Sequence, residues 1–240
     1  MENNKIEFPK ILICAPQHES KNYCWDIWWE NVKNLTYPHS RIEIFLADNS
    51  KSKENVKKFE DLGIKVQHIP QNKKGIIFTI KDSHEACRKY ALKNNFDFIF
   101  HLETDIIPPV DVIERLLSHG KKVVGGTYDL LFGKKRTPMI QLDEKYDVNI
   151  RDYRTPDFLE AEEPQFFDGK LKQVYHLGLG CVLIHKSILE KVPFRVIEGF
   201  DIHTDTWFAN DCFQLQIPIF ADTTIQCKHY NQTWLGKVQN

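Results

Sequence analysis

The sequence predicts an α/β fold whose central sheet is mostly parallel. Short apolar runs typical of buried strands alternate with segments whose apolar residues follow helical spacing. Polar residues with turn propensity follow several of these runs. No internal repeat or low-complexity segment interrupts the alternation. Alternation of this kind places helices on both faces of a parallel sheet, with ligands at the carboxyl ends of the strands.

The first half of the chain gives the order β-α-β-α-β-α-β-α-β. Its first helix is indicated by Trp25, Trp28, Trp29 and Val32, which form one helix face and are assigned to the core. The second half is less regular, with loops or hairpins over 133–165. The predicted strands are 10–15, 41–47, 64–69, 96–102, 122–128, 181–184, 218–221 and 224–227. The predicted helices are 25–32, 53–62, 78–92, 112–117, 187–192 and 204–215.

Two element ends are predicted from single residues. Pro16 is expected to end the first strand, because proline cannot donate a ladder hydrogen bond. Ser187 is expected to cap the short helix that follows the strand over 181–184.

Length and charge bound the function classes. The chain has 240 residues, which suits one large α/β domain or at most two small ones. Its 32 basic and 33 acidic side chains give a net charge of −1, so no global basic surface exists for nucleic acid or an anionic membrane. No apolar run approaches the roughly 20 residues of a membrane helix, and residues 1–10 lack an apolar signal core. We therefore expect a cytoplasmic protein.

Six cysteines are scattered through apolar segments without a CxxC pair: Cys14, Cys24, Cys87, Cys181, Cys212 and Cys227. In a chain of this size, the pattern favours buried free thiols over disulfides. For the same reason, no structural zinc site is expected.

The strongest chemical motif is the pair of acids Glu103 and Asp105, which follows the predicted fourth strand. Residues two apart in an extended chain point to the same side, so both carboxylates can face one cation. A hard ion such as Mg²⁺ or Mn²⁺ prefers oxygen ligands and often bridges to phosphates. The alternative is that the two acids are solvated or cap the next helix.

Three further side chains lie at predicted strand or helix ends, and each has two interpretations. Asp48 can accept hydrogen bonds from a base or ribose, or it can form a turn. Asp205 can act as a general base on an acceptor hydroxyl, or it can be a helix N-terminal acid. His229 can complete a metal shell, or it can be an ordinary surface histidine.

Gly178 and Gly180 allow close backbone approach to a ligand, although a tight strand entry needs the same residues. Arg88 lies on the helix before the fourth strand, where it can meet phosphates or merely solvate a helix face.

In this order, the residues resemble the GT-A glycosyltransferases, especially the inverting family-two group, over nearly the whole chain. The resemblance rests on the opening strand, the acid at the end of the second strand, the acidic motif, a glycine-bearing strand, a segment with a catalytic base and a closing histidine. These are residues 11–16, 47–50, 103–105, 123–128, 177–184 and 204–208, with Asp222 and His229.

The resemblance implies one GT-A domain over 1–240 with a mixed central sheet, a nucleotide-sugar-binding half over 1–130 and an acceptor-binding, catalytic half over 131–240. It implies a metal-dependent, inverting transfer of one sugar from a nucleoside diphosphate sugar, with UDP as the expected nucleotide and Mn²⁺ or Mg²⁺ as cofactor. The metal ligands would be Glu103, Asp105 and His229, and the general base would be Asp205. The nucleotide sugar would contact Pro16, Gln17, Glu19, Asp48, Arg88, Thr104, Gly178 and Gly180.

The chain departs from the family pattern at several positions. Glu103 replaces the first aspartate of the metal motif, Thr204 stands where an acid often precedes the base, and Cys87–Lys89 replaces an Arg-Asn pair. No QxxRW motif is present, so processive polymer synthesis is not expected. A nucleotidyltransferase and a non-catalytic binding module on the same fold stay open. A glycan, a lipid, a protein or a modified nucleobase could be the acceptor.

Overall fold

The computed structural model describes residues 8–132, 135–142, 166–200 and 202–230. Short 3₁₀ helices cover Glu19–Cys24 and His39–Arg41. The α-helices are α1 (Trp25–Lys33), α2 (Glu54–Glu60), α3 (Ile76–Lys93), α4 (Val112–Ser118), α5 (Lys186–Leu189) and α6 (Thr204–Gln214). The strands are β1 (Ile11–Gln17), β2 (Ile42–Asp48), β3 (Lys65–His68), β4 (Phe98–Leu102), β5 (Ile106–Ile107), β6 (Val123–Thr127), β7 (Asp129–Phe132), β8 (Lys135–Pro138), β9 (Ile140–Gln141), β10 (Leu171–Val174), β11 (His176–Leu177), β12 (Cys181–His185), β13 (Ile219–Gln226) and β14 (Lys228–His229).

The central sheet has eight strands in the order β10-β13-β6-β12-β4-β1-β2-β3. Strand β12 runs antiparallel to both of its neighbours, β4 and β6, and β10 runs antiparallel to β13. The other neighbours pair in parallel. The predicted α/β order of the first half is therefore confirmed, and the sheet is mixed as the resemblance implied.

A hydrophobic layer covers each face of the sheet. Alternate residues of β1 point to opposite faces, so Leu12 packs in one layer and Ile13 packs in the other. The first layer includes Phe208 of α6, and the second includes Trp28 of α1. Because the two layers fix the strands from both sides, the loops at the carboxyl ends of the parallel strands are held on a rigid base.

The prediction that Pro16 ends the first strand was wrong. Strand β1 continues to Gln17, and Pro16 is the register partner of Ala47 in β2. On its other side, the ladder with β4 ends at Cys14. Pro16 therefore lies beyond the part of β1 that pairs on both sides, where a missing donor is tolerated.

Two details of the second half also differ from prediction. The side chain of His185, not Ser187, caps α5 by accepting a hydrogen bond from the Ser187 backbone nitrogen at 3.2 Å. The two predicted closing segments form one strand, β13, which has a register shift between Asp222 and Gln226. Much of the predicted loop region lies outside the described residues, but Asp129–Phe132 and Lys135–Pro138 pair antiparallel as β7 and β8.

All six cysteines are free thiols, five of them buried and Cys227 half-buried, as expected. Among the described residues, no helix combines the length and apolar character needed to cross a bilayer.

Candidate functional site

The acidic pair lies at the carboxyl end of β4, close to the edge where β1 and β2 also end. The backbone nitrogen of Glu103 donates to the carbonyl of Gly180 at 3.0 Å, which holds the turn against β12. The hydroxyl of Thr104 points inward and donates to Gln17 Oε1 at 2.5 Å. The carboxylates on either side of Thr104 are thereby directed away from this buried contact.

Both carboxylates face the ammonium group of Lys21. Lys21 Nζ donates to Glu103 Oε2 and to Asp105 Oδ1, at 3.0 Å in each case. Lys21 comes from the 3₁₀ helix that follows β1, so a short local turn carries it over the end of β4. The Asp105 side chain is fully buried, whereas those of Glu103 and Lys21 are 24% and 18% exposed. Burial opposes ionisation of Asp105, but Lys21 and His229 outweigh burial and lower the pKa of Asp105 to about 2.

His229 reaches the same carboxylate from the opposite end of the sequence. Strand β14 pairs antiparallel with β5, with His229 opposite Ile106, so His229 lies beside Asp105. Its Nε2 is 3.7 Å from Asp105 Oδ2. Its Nδ1 lies 2.7 Å from the carbonyl of Asp129, which can only accept, so Nδ1 carries a proton. Burial opposes a charge on His229, but the hydrogen bond and charge of Asp105 outweigh burial and raise the pKa of His229, so Nε2 has to lose its proton before it can ligate a cation.

The donor set of this cluster fits a divalent cation. Asp105 Oδ2 is buried and lies 3.0 Å from Lys21 Nζ and 3.7 Å from His229 Nε2. Two carboxylates and an imidazole nitrogen converge on the space beside it, and this combination suits Mn²⁺ or Mg²⁺. The contact between Nδ1 of His229 and a carbonyl is the kind of outer contact that orients a ligating histidine.

The two glycines after β11 accommodate the ring of Tyr128. A Cβ atom added at Gly178 would lie 2.2 Å from the Tyr128 hydroxyl oxygen, and one at Gly180 would lie 2.7 Å from the ring. The backbone nitrogen of Gly180 donates to that hydroxyl at 3.0 Å. The Tyr128 ring also meets the His229 ring edge-on, with the two ring centroids 5.4 Å apart. The glycines thus let Tyr128 support His229, and direct ligand contact by either glycine stays a prediction.

Asp205 lies in the first turn of α6, which packs beside β11. Its Oδ1 accepts from the Thr206 backbone nitrogen at 2.8 Å, and its Oδ2 lies 3.7 Å from Nε2 of His176. Burial opposes ionisation, but His176 and His203 outweigh burial and keep the pKa of Asp205 well below its usual range. The side chain remains 18% exposed, so the ionised carboxylate is accessible at the surface of the site.

Helix α6 is held in place by a bidentate ion pair. Arg195 Nε and a terminal nitrogen of the same guanidinium donate to the two oxygens of Asp211, at 2.7 and 2.6 Å. The guanidinium also stacks over Trp207, 4.9 Å from the ring centroid. These contacts anchor α6 at Asp211, near the end of the helix, and at Trp207, two residues after Asp205.

Two buried residues, Tyr128 and His84, lie in the electric fields of charged groups of the site. Burial raises the pKa of Tyr128 well above its usual value, and the negative charges of Glu103, Asp205 and Asp105 raise it further. Burial lowers the pKa of His84, which also lies in the fields of Asp205 and Lys21. Tyr128 therefore lies within electrostatic range of both Asp205 and the acidic pair, whereas His84 lies within range of Asp205 and Lys21. That Asp205 and the acidic pair form one site stays a prediction.

The carboxylate of Asp48 is fully buried at the end of β2. Its Oδ1 accepts from the Ser50 hydroxyl at 2.6 Å, and its Oδ2 is 3.4 Å from Nδ1 of His68. Glu19 lies on the neighbouring loop and accepts from the Lys51 backbone nitrogen at 3.1 Å, which ties the loop after β1 to the loop after β2. The predicted nucleoside contacts of Asp48, Glu19 and Pro16 are not tested by these bonds.

Gln17, Thr104 and Arg88 use their side chains within the fold. The hydrogen bond between Gln17 and Thr104 joins the ends of β1 and β4, and both residues are buried. Arg88 donates to the Leu189 carbonyl at 2.6 Å and to Glu85 at 2.7 Å. Strand β12 runs antiparallel to β4, so Leu189, which follows β12, lies towards the amino-terminal end of β4. The acidic pair lies at the carboxyl end of β4, so the structure does not bring Arg88 to it. Nucleotide contact by Gln17 or Thr104 stays a prediction.

Sequence reasoning missed three residues of the site: Lys21, Tyr128 and His176. Lys21 is one lysine among many, and its pairing with Asp105 spans 84 positions. For Tyr128, the glycines at 178 and 180 were a usable signal, since paired glycines on a strand can indicate a large ring packed against them. His176 carries no sequence pattern that separates it from a core histidine.

A second group of potential ligands lies deeper in the core. Cys14 of β1 and His101 of β4 are register partners, and Cys87 of α3 packs over them. One ligand atom from each lies within 4.8 Å of the others, and all three residues are buried. The thiols are scattered in the sequence, and the contact between these three elements exists only in the folded chain.

Solved structures show the fold class directly. The structure of TarS residues 1–349 from S. aureus in complex with UDP-GlcNAc matches with a TM-score of 0.60 at 12% identity, over 92% of this chain and 59% of that chain. The structure of GalNAc-T7 with UDP, GalNAc and Mn²⁺ matches with a TM-score of 0.61 at 13% identity, over 93% of this chain and 44% of that chain. No family model and no curated protein sequence matches the chain. The chain therefore has the GT-A fold, and its match covers only 59% and 44% of these two solved chains.

Proposed function

We propose that the protein is a metal-dependent glycosyltransferase that moves one sugar from a nucleoside diphosphate sugar to an acceptor hydroxyl with inversion. The observation that carries the proposal is the convergence of Glu103, Asp105 and His229 at the carboxyl end of β4. A GT-A fold with this donor set supports binding of a diphosphate through a divalent cation.

In this proposal, Glu103, Asp105 and His229 hold Mn²⁺ or Mg²⁺, which when bound stabilises the departing diphosphate as a Lewis acid. Residues 1–130 bind the nucleotide, with Asp48 and the loop from Pro16 to Glu19 beside the nucleoside. Residues 131–240 bind the acceptor. UDP is the proposed nucleotide, because TarS and GalNAc-T7 were solved with UDP-GlcNAc and with UDP.

Asp205 is the proposed general base. Its Oδ2 would accept the proton of the acceptor hydroxyl while the acceptor oxygen attacks the anomeric carbon. Asp205 is ionised throughout the neutral range, as a base has to be, and its lowered pKa makes it a weaker proton acceptor than an ordinary aspartate. His176 holds Oδ2 on one side, and Thr206 holds Oδ1, which leaves the carboxylate in one orientation. Attack on the face opposite the diphosphate gives inversion.

A donor-hydrolysis screen tests the reaction class. We expect one nucleoside diphosphate sugar in a panel of UDP, GDP, CDP and ADP sugars to release its nucleoside diphosphate slowly with Mn²⁺, and EDTA to stop the release. A second panel of nucleoside triphosphates with sugar phosphates serves as the control. Pyrophosphate release from that panel would indicate a nucleotidyltransferase. No turnover of any donor by folded protein would contradict the proposal and favour a binding module.

A further inference from the structure

The position of Lys21 raises a question about the metal site itself. Its ammonium group lies 3.0 Å from oxygens of both Glu103 and Asp105, so it occupies the space between the two carboxylates. A cation such as Mg²⁺ that bound the same two oxygens would lie about 2.1 Å from each of them. Such an ion and the Lys21 nitrogen cannot share that space.

The charges at the site also indicate that Lys21 and a divalent cation exclude each other. Two carboxylates and one ammonium leave a single net negative charge at the pair, whereas the carboxylates without the ammonium carry two. Coulomb repulsion between an ammonium and a divalent cation in contact range is strong in a partly buried site. Lys21 therefore has to leave before a metal ion can enter.

We propose that Lys21 is a built-in counter-ion that competes with the divalent cation for Glu103 and Asp105 and is released when the metal–nucleotide complex binds. The proposal rests on the metal site of the proposed function. Lysine suits this role because its charge is compact and its four-carbon stem is flexible. The side chain is 18% exposed, so the ammonium can turn outward. The diphosphate would then offer it new oxygen partners beside the metal.

The divalent cation should therefore bind weakly without nucleotide and tightly together with a nucleoside diphosphate. Metal alone has to displace Lys21 without supplying a new anion. Metal with a diphosphate displaces Lys21 and supplies that anion in the same step. The device would keep adventitious divalent ions out of the site until a donor arrives.

Binding of Mn²⁺ without nucleotide, measured from the electron paramagnetic resonance signal of the free ion, tests this competition. We expect Lys21→Met to bind Mn²⁺ at least about tenfold more tightly than the unmodified chain. Lys57→Met is the matched control, because it removes an equal charge from the exposed face of α2 and should leave the affinity unchanged. Mn²⁺ is a suitable probe since it prefers oxygen ligands to the thiols of Cys14 and Cys87.

A double variant tests whether any gain in Mn²⁺ affinity arises at the acidic pair. Adding Glu103→Gln to Lys21→Met should remove the gain, and a gain that survives would contradict displacement at the pair. Thermal unfolding with and without Mn²⁺ is a second readout, in which Mn²⁺ should stabilise the Lys21→Met protein more than the unmodified chain. Equal Mn²⁺ affinity in folded Lys21→Met and unmodified protein would overturn the proposal. That result is independent of sugar transfer, so a missing transferase activity would not produce it.

Discussion

Replacing Asp205 by asparagine is expected to lower the turnover of sugar transfer about 10²- to 10⁴-fold, the range that loss of a general base produces. Asparagine keeps the shape of the side chain and can still accept the hydrogen bond from Thr206 at Oδ1. It cannot take up the acceptor proton. Nucleotide affinity should stay nearly unchanged, because Asp205 belongs to the acceptor side of the proposed site.

The control for Asp205→Asn is Glu190→Gln. This substitution makes the same change from acid to amide at an exposed position just after α5. Single-turnover rates and UDP affinity should be measured for both variants beside the unmodified chain. Unchanged turnover in Asp205→Asn would remove Asp205 from the role of base. A parallel loss of UDP affinity would indicate that the substitution disturbed the site as a whole.

Replacing Asp105 by asparagine is expected to abolish the metal-dependent part of nucleotide binding. Loss of an outer contact to a metal ligand already costs about 10- to 100-fold in metal affinity, so loss of a ligand itself should cost at least that. Stability should fall as well, since Lys21 would lose its fully buried partner. Breaking a buried ion pair costs roughly 3–5 kcal/mol, and the exposure of Lys21 and its contact with Glu103 place the cost below that range.

The companion variant for Asp105→Asn is Glu103→Gln. The Glu103 side chain is 24% exposed and that of Asp105 is fully buried, so Glu103→Gln should weaken metal binding with a smaller loss of stability. Denaturant unfolding and Mn²⁺-dependent UDP titration measure the two effects separately. Metal-dependent UDP binding that survives in Asp105→Asn would place the metal elsewhere.

The pH dependence of stability has a defined sign for Asp105. Its pKa is lowered from 3.8 to about 2 in the folded chain. A lowered pKa means that the stabilising contribution is complete above the unfolded value and is lost as the pH falls toward 2. Between pH 3.8 and about 2, the free energy of unfolding of Asp105→Asn should therefore fall less steeply than that of the unmodified chain.

The fold was largely predictable because strand and helix periods are local properties of the sequence. The alternation of the first half follows from those periods, and the predicted helix face is buried at Trp25, Trp28 and Val32 and half-buried at Trp29. The end of β1 was not predictable from Pro16 alone. A proline is tolerated there because β4 stops pairing at Cys14, a fact that depends on the register of a distant strand.

The site was predictable only in part, for the same physical reason. Glu103 and Asp105 follow β4 as predicted, but they lie in a turn that the Ile106 backbone nitrogen closes on the Glu103 carbonyl at 2.9 Å, so the predicted extended geometry of 103–105 was wrong. Lys21 reaches them across 82 and 84 positions, and no local pattern distinguishes it from the other lysines. His229 lies beside Asp105 because β14 pairs with β5, which is another contact between distant segments.

The central claim is that a nucleoside diphosphate binds through a divalent cation held by Glu103 and Asp105. The most direct measurement is a thermal unfolding series of the unmodified chain with UDP, GDP, CDP and ADP, each with and without Mn²⁺. A ligand at about 100 times its dissociation constant stabilises the folded state by about 2.7 kcal/mol, which such a series detects. We expect one nucleotide, UDP, to raise the unfolding temperature with Mn²⁺ and to have little effect without it. The absence of a shift with every nucleotide and Mn²⁺, in a sample shown to be folded, would contradict the claim.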